Sequence, residues 1–223
     1  MRKLFSWLVL ALPAAAGAAT FDFTSLGANN TLLGNTVVVN GVTASGFANN
    51  FQTPTPLWLR NQTNDHGLGV CSEGQQACAS GGGDVNELDN ASALEAILLE
   101  RPVNAIWTSL WVSSLDSGGT GGSEEGTLAW GNSLADLLNP LNWLNFGYGA
   151  FGTAVEGDLL TLASAFDPAA RYVLFFHGGV TGSNNDYLVW RGAYTASLRV
   201  PEPATLALLG VGLAMFGRRR RRG

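Results

Sequence analysis

The chain has 223 residues, with 12 Lys+Arg against 17 Asp+Glu, 46% hydrophobic residues, 29 glycines and two cysteines. A chain so rich in large apolar residues is not intrinsically disordered. Setting aside Arg2, Lys3, Arg218 to Arg222 and Glu202 takes away seven of the twelve basic and one of the seventeen acidic residues, leaving 5 and 16, a net of −11 with no lysine. That balance argues against nucleic acid, whose phosphates need clustered cations, and against anionic lipid heads; it suits calcium, cationic surfaces or solubility outside the cell.

Met1-Arg-Lys-Leu-Phe-Ser-Trp-Leu-Val-Leu-Ala-Leu-Pro13 joins a basic start to an apolar run, and Ala14 to Ala19 supplies small residues. This pattern predicts a secretory signal peptide over residues 1–19, cut after Ala18 or Ala19. Residues 20–199 are then the exported part, long enough for one domain with its own core. The glycine runs Gly81–Gly83 and Ser117–Ser123 are loops within it, because strand signals resume directly afterwards.

Thr20–Thr24 alternates as a first strand. Thr36–Val39 and Val42–Phe47 flank Asn40-Gly41, a two-residue hairpin turn. Pro56–Arg60 and Gly67–Val70 are further strands. Leu94–Leu99 reads as helix or strand, since Ala and Glu favour helix but the segment is short. Ala105–Val112 is apolar on both faces and therefore central. Thr127–Trp130, Asp158–Ala163, Tyr172–Phe176, Tyr187–Trp190 and Ala193–Val200 are also read as strands, with a helical turn or two in Ser133–Leu144 interrupted at Pro140. Many short strands separated by Gly/Asn/Ser turns predict a mainly β fold, a single antiparallel β-sandwich or jelly roll.

Cys71 and Cys78 have six residues between them. In an oxidising compartment they form a disulfide that closes a small loop; two cysteines alone lack the other ligands of a metal site. Asp84, Asn86, Glu87, Asp89 and Asn90 crowd oxygen-bearing side chains, and calcium takes six to eight oxygens. Asp84, Glu87 and Asp89 are therefore candidate calcium ligands, with Asp186 able to approach from another loop. The alternative is a set of turn residues bonded to the backbone, with Asp89 and Glu95 solvated or paired with Arg60 or Arg101.

Six tryptophans remain after export: Trp58, Trp107, Trp111, Trp130, Trp143 and Trp190. They read as core or as platforms for sugar rings, with Trp107 and Trp111 at even spacing on one strand face. His66 and His177 sit in no zinc-helix or nucleophile-elbow motif, and Asp84 with Asp89 would be an unsupported glycosidase pair. No residue is assigned a catalytic role, and the chain is not expected to be an enzyme.

The end of the chain has three ordered features: Pro201-Glu202-Pro203, the apolar run 204–217, and Arg218, Arg219, Arg220, Arg221 and Arg222. Fourteen helical residues rise roughly 21 Å, short of a bilayer core of about 30 Å, though arginine stems can snorkel and lipid can thin. The arginines favour leaving that end in the cytoplasm. Residues 200–223 resemble the PEP-CTERM sorting signal of Gram-negative bacteria; an ordinary tail anchor is the alternative. The resemblance implies recognition by an exosortase, a short transmembrane segment that holds the chain before processing, and then release or surface attachment. The stretch from His66 to Glu95 resembles a pattern in other exported PEP-CTERM β-sandwich proteins, with a Gly-Leu-Gly-Val strand, a Gly-Asp loop, an Asn-Glu-Leu-Asp segment and a Glu-containing strand. The combined expectation is a cell-surface or extracellular-matrix protein, structural or adhesive, associated with exopolysaccharide. A carbohydrate-binding module and a secreted hydrolase are the alternatives.

Overall fold

β-branched and aromatic runs set the strands, and Gly, Asn and Pro set the breaks between them. The computed structural model describes residues 17–63, 65–79, 87–89, 94–116, 124–151, 156–177 and 186–196. The chain enters through β1 (Ala18–Asp22), a 3-10 turn at Phe23–Leu26 and β2 (Thr31–Leu32), then forms the hairpin β3 (Thr36–Val39) and β4 (Val42–Ala48). β5 (Thr53–Pro54), β6 (Leu57–Gln62) and β7 (Asp65–Val70) lead to a short helix, α1 (Gln75–Ala79), and to β8 (Leu88–Asp89). β9 (Ala96–Glu100), β10 (Ala105–Ser113) and β11 (Glu125–Gly131) precede one helical turn, α2 (Leu134–Leu137), and a 3-10 turn at Pro140–Asn142. β12 (Trp143–Gly147), β13 (Glu156–Asp158), α3 (Leu159–Leu162), β14 (Tyr172–Phe176) and β15 (Asp186–Ala196) follow.

These strands make two antiparallel sheets. One runs β13-β10-β15-β7-β6-β2 and the other β12-β11-β14-β9-β4-β3, with β5 added beside β4. β15 organises the first sheet: β10 pairs along one edge, while β8, β7 and β1 meet the other edge in turn. The sheets face each other across one core that includes Phe21, Leu59, Leu68, Ile97, Leu99, Trp107, Leu128, Val173, Phe175 and Tyr187. The fold is thus a mainly β sandwich, as expected.

β14 shows why its sequence is apolar throughout. Val173 and Phe175 enter the central core, whereas Leu174 and Phe176 face a second cluster with Ala96, Ala129 and Leu137 on the far side of the sheet. The Asn40-Gly41 turn forms as expected, with φ of 47° and 79°, the left-handed values that a tight hairpin turn requires. Leu94–Leu99 resolves toward strand, since β9 is paired on both sides by β14 and β4.

Three expectations are corrected. Thr20–Thr24 does not continue as a strand: the Asp22 side chain accepts a bond from Thr24 N at 2.9 Å and turns the chain into a 3-10 helix. Asp158–Ala163 is not a strand either, because Asp158 caps α3 by accepting from Leu160 N at 3.1 Å. Tyr187–Trp190 and Ala193–Val200 are not two strands, since β15 runs through both as far as Ala196. At the N-terminal boundary, Ala18 and Ala19, the expected cleavage point, pair with Thr195 and Tyr194. The rest of the signal peptide, residues 1–16, and the sorting signal, residues 200–223, lie outside the described residues. Among the described residues no helix is long and apolar enough to cross a membrane.

Candidate functional site

Two bulges re-aim the side chains along the β10–β15 ladder. The register skips one residue of β10 between Trp107 and Ser109, and one residue of β15 opposite the step from Trp111 to Val112. A bulge inserts an unpaired residue and shifts the inside-outside alternation that follows it. Trp107 therefore points into the core, 1% exposed, and donates from Nε1 to the Ala170 carbonyl at 2.9 Å. Trp111 lies on the other face. The even spacing of Trp107 and Trp111 does not put them on one face, because the bulge intervenes.

The second bulge places Trp190 and Arg191 on the same outer face as Trp111. The Arg191 guanidinium lies 4.7 Å from the Trp111 ring centre and 3.7 Å from that of Trp190. Trp190 meets Trp111 edge-on at 6.1 Å, and His66 stacks on it at 5.1 Å. Gly67 allows β7 to approach: at φ +129°, a Cβ there would sit 2.7 Å from the Trp190 Cα. Beside this cluster runs an open groove of about 320 Å³, lined by Thr20, Asp22, Ser109, Trp111, Arg191 and their neighbours. An aromatic wall with a guanidinium, a carboxylate and hydroxyls at its rim can stack a flat apolar face while bonding a polar edge.

Around Glu87 and Asp89 the acidic residues form two groups. Arg60 pairs with Glu87 and, at 2.5 Å, with Asp65; Ser114 Oγ lies 3.1 Å from the Glu87 and 3.2 Å from the Asp65 carboxylate, within donating reach of either. In the second group Glu73, Asp89 and Glu95 bring one carboxylate oxygen each within 4.8 Å of one another. Asp89 is 4% exposed and Glu95 fully buried, so neither is solvated, as the turn reading would have it. Arg101 instead donates to the carbonyls of Ala169, Ala170 and Pro102. Burial, reinforced by the Asp89 charge, pushes the Glu95 carboxyl up to about 9, against the opposing pull of Ser72 and the Asp89 backbone. Of the candidate calcium ligands, Glu87 thus sits with Arg60, Asp89 sits with Glu73 and Glu95, and Asp84 lies outside the described residues. Asp186 lies directly across the ladder from Asp89.

Cys71 and Cys78 form the expected disulfide, with their Cα atoms 6.0 Å apart. Trp58 packs on the pair from the outer side of its sheet. The loop that the disulfide closes is partly helical through α1, where the sequence pattern suggests only a turn. Trp130 is also buried, while Trp143 is half-buried in the outer cluster and donates to the Leu137 carbonyl at 2.7 Å. His177 is buried with its Nε2 2.8 Å from the Leu88 carbonyl, and its ring meets Tyr187 edge-on at 5.0 Å. Ser113 exchanges hydrogen bonds with the backbone of His66. Arg191 and Glu73 do not stand out in the sequence: nothing in the local pattern shows a bulge that brings an arginine onto a tryptophan, or a loop glutamate folding back on a strand.

The tail matches the family described as PEP-CTERM protein-sorting motif over residues 199–222, which takes in Pro201-Glu202-Pro203 and the five arginines. No curated protein and no solved structure matches the chain. The tail of this chain thus carries a PEP-CTERM protein-sorting motif, which implies export and processing by an exosortase at the cell envelope or beyond it.

Proposed function

We propose that the protein is delivered to the cell surface or extracellular matrix of a Gram-negative bacterium and there binds exopolysaccharide through the Trp111–Arg191 groove, as an adhesive or structural component and not as an enzyme. The carrying observation is the double bulge, which turns Trp111 and Arg191 toward an open groove, with the buried Trp190 packed against both. The Trp111 ring suits the apolar face of a pyranose, and Arg191, Asp22 and Ser109 suit its hydroxyls. The acidic domain carries no lysine, so it avoids nonspecific adhesion to anionic surfaces. Membrane contact is a stage of delivery, made through residues 204–217 before the exosortase acts.

The test is titration of the exported protein, purified from its own culture, with the exopolysaccharide of the same cells. W111A should weaken binding by at least about 10-fold, since stacking contacts of this kind are worth roughly 1–2 kcal/mol. Equal binding by wild type and W111A, or none by either, would overturn the groove assignment. Mass spectrometry of the same material tests delivery: it should lack residues 218–222, and full-length protein in wild-type cells would overturn the processing step.

A further inference from the structure

We propose that Glu73, Asp89 and Glu95 hold one divalent cation, calcium, which ties the disulfide loop to β8 and to the start of β9. The site uses no residue of the groove and stands independently of the polysaccharide reading.

The three carboxylates come from separate segments: Glu73 from the loop closed by Cys71 and Cys78, Asp89 from β8, and Glu95 from the residue preceding β9. Two oxygens bound to the same calcium at about 2.4 Å can be at most about 4.8 Å apart. The three carboxylates meet that limit. Two of them lie inside the protein, Asp89 at 4% exposure and Glu95 at 0%. Asp89 also faces Asp186 directly across an antiparallel pair, and Asp186 is buried as well at 4% exposure.

An orphaned atom points to the same place. Glu95 Oε2 accepts a bond from Asp89 N at 3.1 Å. Glu95 Oε1 is buried with no hydrogen-bond partner among the described residues, and so is Ser72 Oγ, the neighbour of Glu73. Ser72 lies beside the Glu95 carboxyl and pulls its pKa down against the effect of burial. Buried polar atoms in folded proteins are almost always satisfied. A bound cation gives Glu95 Oε1 a partner, and the Ser72 oxygen is placed to contribute.

The donors select the metal. All are oxygens, and both cysteines are consumed by the disulfide, so softer thiolate-seeking metals are disfavoured. Calcium accepts six to eight oxygens in irregular geometry, whereas magnesium demands a near-ideal octahedron and keeps several waters. Glu73 is exposed, leaving an entry from solvent and room for water ligands. Extracellular calcium modules bind in the range of about 10⁻⁴ to 10⁻³ M.

The experiment titrates calcium chloride into the chelator-stripped, exported protein by calorimetry and follows thermal melts. Binding of one ion per chain, with an increase in Tm on the order of 5 °C at saturation, is the expected result. E95Q keeps the side-chain shape and should lose at least about 10-fold in calcium affinity; D89N should do the same and guards against a folding defect in the first variant. E87Q, which alters the carboxylate held by Arg60, should still bind. Superimposable melts in calcium and chelator, wild-type affinity in both E95Q and D89N, loss of binding in E87Q alone, or an equal response to magnesium would overturn the assignment.

Discussion

Truncating Arg60 should be costly because its charge partners are largely buried. Its side chain is 13% exposed, and it faces Glu87, whose side chain is 3% exposed, and Asp65 at 23%. Removing one partner of a buried ion pair leaves the other charge desolvated, at a typical cost of about 3–5 kcal/mol. Ser114 Oγ continues to donate to Glu87 at 3.1 Å, and Asp65 reaches water, so R60A should fall near the lower end, about 3 kcal/mol. For a domain of this size each kcal/mol lowers Tm by about 2–4 °C, which gives a drop of about 6–12 °C. Urea unfolding at constant calcium measures it directly. Replacing a whole buried pair by uncharged groups of similar volume is often neutral, so R60M/E87Q should return to within about 1 kcal/mol of wild type. If R60A loses less than about 0.5 kcal/mol, or the double variant is no more stable than R60A, the ion pair is not what holds β6, β7 and the approach to β8 together.

Two further predictions concern stability. C71A/C78A opens a loop with a sequence separation of 7, for which chain entropy gives a loss of about 2–2.5 kcal/mol; urea unfolding of the double variant checks it, and an unchanged midpoint would show that the loop closes equally well by packing. His177 sets an acid limit. Burial lowers its pKa below the ordinary 6.5, with the Leu88 and Glu125 backbones pulling upward, and the Tyr187 phenol packed beside it is itself kept protonated by burial. As pH falls below about 6.5, the unfolded ring takes up a proton that the folded ring refuses. The ring's contribution is therefore complete above about pH 7 and declines as pH falls toward the folded pKa, by at most about 1.4 kcal/mol per pH unit. Unfolding of wild type and H177Q at several pH values from about 7.5 down to about 5.5 should show this extra slope in wild type alone; parallel profiles would mean that the ring does not stay neutral.

The sheet architecture was legible because its signals are local. The β-branched run Thr36–Val39 favours an extended backbone, and the Asn40-Gly41 turn fixes the partner strand by its own geometry. β14 announced itself as a strand buried on both faces through an unbroken apolar run. The misreadings fell where one polar side chain outweighs the hydrophobic pattern. Asp158 precedes Leu159-Leu160-Thr161-Leu162, which alone would pass for a strand, yet its carboxylate caps the backbone and starts a helix by the usual N-cap bond. β9 went the other way: Ala and Glu favour helix in isolation, but pairing with β14 and β4 decides the outcome, as tertiary context commonly does.

The candidate sites were legible only in composition, because each depends on a shift that sequence spacing does not record. Counting by twos along Ala105–Ser113 joins Trp107 to Trp111, and one unpaired residue separates them into core and surface. The same kind of slip on β15 brings Trp190 and Arg191 to one face, although neighbours in a regular strand point apart. The acid-rich stretch around Asp89 was visible, but its members were sorted by what lies across the sheet: Arg60 draws Glu87 one way, and the disulfide loop brings Glu73 to Asp89 and Glu95. The disulfide is therefore more than a staple for a small loop. By restricting the segment that carries Glu73 it lowers the ordering cost of assembling three carboxylates from three segments, and a cation bound at the proposed site would in turn hold the loop against β8. On that proposal, closure of the loop and binding of the ion would support each other, so opening the disulfide should weaken calcium binding as well as stability.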